Sequence, residues 1–232
     1  MKENKNIVEL PLSVANNFLR KNIINDIIDN LNLTEFKLFL LIISHRDMLV
    51  HLKSIKENQK FSFPIKKFKQ YYSKNFSRNE IKSFVENLKK HKYIKSMDLN
   101  TNDEIIVSID KKFDKLKGGD EINYKIDLDL IKENNVKFTT MKIIFLLNYH
   151  KDLKLHREHL LDFLGYKDKS KEQRKDAVKN IKKVFKKLEE SELIADYDYH
   201  KSEKYFFSCK SLLKEKQEKE REDDDFDYEI AF

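Results

Sequence analysis

One stretch of the chain occurs twice, as Thr34-Glu-Phe-Lys-Leu-Phe-Leu-Leu-Ile-Ile-Ser-His-Arg-Asp-Met48 and as Thr139-Thr-Met-Lys-Ile-Ile-Phe-Leu-Leu-Asn-Tyr-His-Lys-Asp-Leu153. The copies align without a gap at an offset of 105 residues (139 − 34), and most pairs that differ exchange one apolar residue for another. Five pairs are identical: Thr34/Thr139, Lys37/Lys142, Leu41/Leu146, His45/His150 and Asp47/Asp152. Because this period is far longer than a solenoid repeat, it predicts two copies of a whole small domain.

Length and composition fit that prediction. The 232 residues suffice for two domains of about 100 residues each, and 40% apolar residues, among them 17 Phe and 10 Tyr, can fill two cores. Three glycines and two prolines leave few tight turns, which favours long helices. The single cysteine, Cys209, cannot form an internal disulfide, and no apolar run has the character of a secretion signal or the length of a membrane span. We therefore expect a cytoplasmic protein without a membrane partner.

The net charge of +7 is unevenly distributed. The segment Glu215–Phe232 has nine acids and three bases, a net charge of −6, so the rest of the chain carries 7 − (−6) = +13. A basic body indicates a polyanionic partner, whereas a lysine-rich solvated surface would give the same composition. The positions of the lysines must therefore discriminate between the two interpretations.

The first half predicts helix, helix, short strand, helix, helix and β-hairpin, in that order. A capping box, Asn32 with Glu35 three residues on, opens the repeated helix, and Ser77 with Glu80 opens a later one. Apolar periodicity and turn residues predict the other elements. These are a helix over Ser13–Asn30, an end of the repeated helix near Leu49, a strand at Phe61–Phe63, a helix from Pro64, and a hairpin of Tyr93–Met97 with Ile105–Ile109.

The second half predicts the same order after a charged linker, residues 111–120, which contains Gly118 and Gly119. The long basic helix of this half follows the turn Lys167–Lys171. The other predicted elements are a strand over Ile122–Ile126, a short helix Leu128–Asn134, the repeated helix capped by Thr139, a strand Leu153–Leu155, a helix ending at Gly165, and a hairpin of Leu193–Tyr199 with Tyr205–Ser208.

A helix-turn-helix followed by a β-hairpin is the order of a winged helix. We therefore predict an α+β, mainly α, fold with two tandem winged-helix domains. The expected boundaries are a flexible arm 1–12, a first domain 13–110, the linker 111–120, a second domain 121–209 and an acidic tail 210–232.

The strongest functional signal is the polar face of the long basic helix. A helix of this kind in the major groove reads base edges and contacts phosphates on its flanks. A lysine-rich face exposed only to solvent is the alternative, but the predicted fold and the basic body favour double-stranded DNA as the partner. The candidate DNA contacts are Lys171, Arg174, Lys175, Lys179, Lys182, Lys183 and Lys186.

The equivalent helix of the first half supplies four more candidates, Arg78, Asn79, Lys82 and Ser83. Arg pairs bidentately with guanine and Asn with adenine, so Arg78 and Asn79 are candidate base readers. Lys201 and Lys204 flank the turn of the second hairpin and could reach a phosphate. The first hairpin turn carries Asp103 and Glu104, which repel DNA, so we expect the second half to bind more tightly.

No residue pattern indicates an enzyme, a cofactor or a metal site. His45-Arg-Asp47 resembles the kinase catalytic loop but lacks the other kinase elements. His156 and His159 lack a third ligand at suitable spacing, and Cys209 lacks an identifiable paired base. We therefore expect a protein that binds rather than catalyses.

Several segments together resemble the Rep-type plasmid replication initiators, the class of RepE, RepA and π. In the first half these are Leu12-Ser-Val-Ala-Asn-Asn-Phe-Leu19 and the helix Leu31–Ser44. In the second half they are Asn123-Tyr-Lys-Ile-Asp-Leu-Asp-Leu130, Lys137-Phe-Thr-Thr-Met-Lys142, the leucine-rich helix Glu158–Gly165 and the long basic helix. The resemblance spans roughly residues 10–208.

This resemblance implies two tandem winged helices that bind directly repeated origin sites as monomers. It also implies melting of adjacent DNA, recruitment of host replication proteins, and repression of the protein's own gene by a homodimer paired through the first domain. Two alternatives stay open: a winged-helix transcription regulator, and a mobile-element module that binds another protein, for example to inhibit a host nuclease.

Overall fold

The computed structural model describes residues 7–10, 27–28, 30–56, 59–72, 74–114, 124–132, 136–200 and 206–213. The chain divides into two compact units, Met1–Phe138 and Thr139–Phe232. Helices predominate among the described residues, and each unit contains a small three-stranded antiparallel sheet, so the predicted α+β, mainly α, class is confirmed. Within the described ranges no helix is both long and apolar enough to cross a membrane.

The first unit is built around the first copy of the repeated stretch. Its helix begins after Asn32, whose side chain and that of Glu35 form the predicted capping box. Residues 36–43 of this helix are all buried, as expected of a helix that is apolar on every side. The elements are β1 (Ile7–Leu10), α1 (Leu33–His51), β2 (Phe61–Pro64), α2 (Ile65–Tyr72), α3 (Arg78–Leu88), β3 (Ile94–Leu99), β4 (Glu104–Ile109), α4 (Lys111–Asp114), β5 (Tyr124–Asp127) and a 3₁₀ helix (Leu128–Ile131).

The second unit repeats this arrangement around the second copy. Its elements are α5 (Phe138–Tyr149), β6 (Asp152–His156), α6 (Arg157–Phe163), α7 (Lys171–Glu190), β7 (Ile194–His200) and β8 (Phe206–Ser211), and the unit begins at the second residue of α5. Gly165 follows α6 with φ +88°, which confirms the predicted glycine cap. Thr139, predicted to be the cap, lies inside α5, because the helix begins two residues earlier than we expected.

The two sheets have the same strand arrangement. In the first unit the order is β2-β4-β3, and in the second it is β6-β8-β7. In both, the second strand of a hairpin lies at the centre and pairs with a short strand that follows the repeated helix. The sequence repeat of one helix therefore extends to the order of six elements and to the strand order of the sheet.

The structure divides the chain differently from the predicted domain boundaries at two places. Ile7–Leu10, expected to belong to a flexible arm, pairs antiparallel with Tyr124–Asp127, which we had assigned to the second domain. The residues that follow are also held in the first unit, because the Tyr71 hydroxyl donates a 2.7 Å hydrogen bond to the buried Leu128 carbonyl. Backbone pairing and the hydrogen bond from Tyr71 therefore place β5 and the residues after it in the first unit, and the division falls at 138/139 instead.

The predicted linker and tail are also shorter than expected. Phe113, within α4, is fully buried and contacts Phe39 and Tyr93 at ring-centre distances of 5.8 and 5.6 Å. The short helix α4 therefore packs on the first core through Phe113, while 115–120 lie outside the described residues. Lys210 and Ser211 belong to β8. Of the predicted helix over 13–30, only Ile27, Ile28 and Asn30 are described, and the first two are helical.

Candidate nucleic-acid interface

The candidate interface of the second unit is the exposed face of α7. Ser170 caps the helix, and its side chain and that of Gln173 form a capping box. The buried face repeats every three to four residues, and its centre is Phe185, which stacks on Tyr197 of β7 and Phe207 of β8 at 5.1 and 5.6 Å. This apolar contact with the hairpin fixes which side of α7 faces solvent. The buried residues are Ala177, Ile181, Phe185 and Leu188.

A row of lysines follows the opposite face along nearly the whole helix. From Lys171 to Glu190 the helix has eight bases and four acids. At about 1.5 Å per residue, the row extends over about 22 Å, and the B-DNA major groove is wide enough to admit such a helix. Lys179 lies 3.2 Å from Asp176, but both side chains are more than 60% exposed, so this pair is weak. We define the lysine row as the exposed residues Lys171, Lys175, Lys179, Lys183 and Lys186.

Lys182 differs from the lysine row because it is held against the hairpin. Its Nζ lies 3.5 Å from the centre of the Tyr199 ring, in cation–π geometry. Burial, followed by the neighbouring Lys186 ammonium, lowers the pKa of Lys182 below its ordinary value. Lys182 therefore joins α7 to β7 and presents less of its charge to solvent than we expected.

Arg174 differs more from the lysine row, because its guanidinium contacts other residues of the second unit. Its guanidinium donates to the carbonyls of Tyr166 and Lys167, at 2.9 and 2.7 Å, and forms an ion pair with Glu158 of α6. Although burial acts to raise the pKa of the Glu158 carboxyl, Arg157 and Arg174 together hold it below its ordinary value. Arg174 therefore connects α7 to α6 and to the turn between them, rather than facing solvent with the lysine row.

In the first unit, the corresponding helix α3 has a weaker basic face. Asn79, Lys82 and Ser83 are exposed as predicted, but Arg78–Leu88 contains two bases and two acids. Arg78 forms an ion pair with Asp103 in the turn of the β3–β4 hairpin and donates to the Asn100 carbonyl at 2.7 Å. Arg78, which we predicted to read bases, therefore contacts the first hairpin turn and pairs with the acidic residue Asp103 there.

The remaining predicted residues carry little chemistry. Lys201 and Lys204 lie outside the described residues. His156 caps α6, with its Nδ1 accepting from the Glu158 amide at 3.3 Å, and no group of three metal-ligating side chains occurs in the part of the chain that the structure describes. Burial raises the pKa of the Cys209 thiol to about 12, which leaves it protonated and a poor nucleophile at neutral pH.

Two features, one at the site and one in the central helices, were missed by sequence reasoning. One is Tyr199. It lies two residues after Tyr197 in β7, and this spacing could have indicated two aromatic side chains on one face of the strand. The other is the burial of Lys37 and Lys142, the identical lysines of the repeated helices. Burial lowers the pKa of both amines, that of Lys142 to about 8. Their identity in both copies was the available signal, because a lysine on a helix that is apolar all round has no solvated face.

Comparison with known proteins adds no assignment. No protein-family model matches the chain, and no curated protein is significantly similar to it. The function of the chain must therefore be inferred from its own residues and contacts.

Proposed function

We propose that the chain is a sequence-specific double-stranded DNA-binding protein built from two tandem winged helices, with α7 as its principal recognition helix. The observation that carries this proposal is the lysine row of α7, on a helix that follows a short helix and turn and precedes a β-hairpin. The helix has one face fixed by Phe185 against the hairpin and the other lined with ammonium groups. This is the arrangement that a helix needs to enter a groove between two rows of phosphates.

The two units contribute unequally in this proposal. α7 carries a net charge of +4, from eight bases and four acids, whereas α3 is neutral, with two of each. Phosphate contacts supply most of the non-specific affinity of DNA-binding proteins, so the second unit is the main DNA-binding unit. Asn79 and Lys82 of α3 remain exposed for a secondary contact.

The biological role that we propose is replication initiation on a plasmid or phage, at directly repeated sites. Its support is the resemblance of the repeated helices and the flanking segments to Rep-type initiators, together with the internal duplication of element order. A transcription regulator of the same architecture would bind DNA equally, so footprinting on the DNA flanking the gene distinguishes the roles. Protection of several short direct repeats supports the initiator, and protection of a single operator supports the regulator.

The direct test of DNA binding is a salt titration of duplex affinity, for the unmodified chain and for Lys179→Glu with Lys183→Glu. We expect the logarithm of the affinity of the unmodified chain to fall linearly with the logarithm of salt concentration. The double variant should bind about tenfold or more weakly at low salt, since two phosphate contacts become repulsive. Both side chains are exposed, so the free energy of unfolding should change by no more than about 0.5 kcal/mol.

The matched control is Lys111→Glu with Lys112→Glu, which makes the same change in charge on exposed residues of α4. We expect this variant to keep most of its affinity. Equal losses in both double variants would show that net charge, rather than the α7 face, determines binding. An affinity of the unmodified chain that is indifferent to salt would contradict DNA binding itself.

A further inference from the structure

The segment beyond β8 starts beside the C-terminal end of α7. The Leu212 amide donates a 3.0 Å hydrogen bond to the Leu193 carbonyl, and the Leu193 amide donates a 2.9 Å hydrogen bond to the Leu188 carbonyl of α7. Leu213 is only 2% exposed, so the chain is fixed in the core of the second unit up to this residue. Whatever follows is therefore tethered next to the last turn of α7.

The charge of that following segment is complementary to the lysine row. Residues 222–229, Glu-Asp-Asp-Asp-Phe-Asp-Tyr-Glu, contain six acids and no base. The lysine row, in contrast, carries five ammonium groups on one exposed face. An acidic segment and a row of DNA phosphates present the same kind of charge to these lysines.

The acidic segment can reach the lysine row. Glu222 lies nine positions after Leu213, and an extended chain spans about 3.3 Å per position, or about 30 Å in all. The helix itself is about 30 Å long at 1.5 Å per residue. The carboxylates of residues 222–229 can therefore lie over any part of α7, from Lys186 back to Lys171.

We propose that the acidic segment Glu222–Glu229 occupies the lysine row of α7 when DNA is absent, and competes with DNA phosphates for it. This inference rests on the proposed DNA-binding role of α7. A segment tethered beside its site has an effective local concentration on the order of millimolar, which lets weak exposed ion pairs compete with a dilute ligand. Because exposed charges are screened by salt, the competition is strongest at low ionic strength.

The test uses the full chain with the six acids neutralised, as E222Q, D223N, D224N, D225N, D227N and E229Q. The matched control keeps residues 222–229 but permutes their order, which preserves length and charge. We expect the neutralised variant to bind duplex DNA about tenfold more tightly than the unmodified chain at about 50 mM salt, and within about twofold at about 400 mM. The permuted control should bind like the unmodified chain. Equal affinities of the neutralised and unmodified chains at low salt would overturn the inference.

Neutralisation also raises the net charge of the whole chain by six, so a second measurement locates the contact. A zero-length carbodiimide joins carboxylates to amines that are in contact, and peptide mass spectrometry identifies the pairs. We expect cross-links between residues 222–229 and the lysine row in the free chain, and their loss in high salt or on adding duplex DNA. Their absence from the free chain would overturn the inference even if neutralisation tightens binding. If no variant binds DNA but the cross-links form, the proposed function fails and the intramolecular contact stands.

Discussion

Arg174, in the first turn of α7, donates a 2.9 Å hydrogen bond to the main-chain carbonyl of Tyr166, which lies eight residues earlier in the turn after α6. The same guanidinium also contacts the Lys167 carbonyl and the Glu158 carboxylate. Its neighbour Lys175 is exposed and belongs to the lysine row. Two adjacent bases that look alike in the sequence therefore have different roles: one orients α7, and the other faces solvent.

Replacing these neighbours one at a time should separate the two roles. Arg174→Met removes the ion pair with Glu158 and the hydrogen bonds to two carbonyls, so we expect the free energy of unfolding to fall by about 1–3 kcal/mol. Lys175→Met should leave stability within about 0.5 kcal/mol and weaken duplex binding. Thermal unfolding and a binding titration at one salt concentration measure both quantities. Unchanged stability of Arg174→Met, together with lost affinity, would instead make Arg174 a direct DNA contact.

A second pair of variants compares the two units. Lys82 in α3 and Lys183 in α7 are both exposed, and each loses the same charge when replaced by glutamate. We expect Lys183→Glu to reduce duplex affinity several-fold more than Lys82→Glu, because α7 is basic and α3 is charge-balanced. The comparison is made by titration of the two variants against one duplex at equal ionic strength. Equal losses would mean that both units contact DNA to the same extent.

A third prediction concerns pH and the packing of α1 on α2. His45 donates from Nε2 to the Ser62 carbonyl at 3.2 Å, and its Nδ1 accepts from the Lys67 ammonium at 3.1 Å. Burial, and then the Lys67 charge, lower the pKa of His45 from 6.5 to about 4, against an opposing effect of the Ser62 hydrogen bond. A proton added to Nδ1 would place two cations in contact.

The folded state therefore binds this proton less readily than the unfolded state does. The contribution of His45 to the free energy of unfolding is present in full above pH 6.5 and is lost as pH falls toward 4. The loss is up to about 2 kcal/mol after allowance for solvent screening. Lys67→Met should raise the pKa of His45 in an NMR titration, since it removes the Lys67 charge, which is the second-largest cause of the lowered pKa. The adjacent exposed Lys66→Met is the control and should leave the titration unchanged. A pKa of His45 near 6.5 in the unmodified chain would contradict the described contact.

A fourth prediction tests where the first core ends. Phe113 is fully buried between Phe39 and Tyr93. It nevertheless lies in the segment that we predicted to be a linker because the neighbouring residues are charged. We expect Phe113→Ala to destabilise the first unit by about 3–5 kcal/mol in chemical denaturation. Lys112→Ala, at an exposed position of the same short helix, should change stability by no more than about 0.5 kcal/mol. A small effect of Phe113→Ala would mean that residues 111–114 act as a linker after all.

Sequence patterns predicted the elements well wherever the physical cause is local. The capping boxes of α1 and α3, the buried stripe of α7, and the glycine that ends α6 each depend on residues three or four apart. Hydrogen bonds between neighbouring residues and the period of the helix are sufficient to fix such features. The winged-helix fold and the DNA-binding residues stay predictions.

What the sequence by itself determined is therefore the duplication, the order of the six repeated elements and the exposed lysine face of α7. Only the tertiary structure decided that β1 pairs with β5 across 120 residues (127 − 7), that Phe113 belongs to a core, and that Arg78 and Arg174 are engaged by carbonyls and carboxylates. The reason is physical. Strand pairing and the partners of a long cationic side chain are selected by which distant segments the folded core brings within about 3 Å, and no local period encodes that choice.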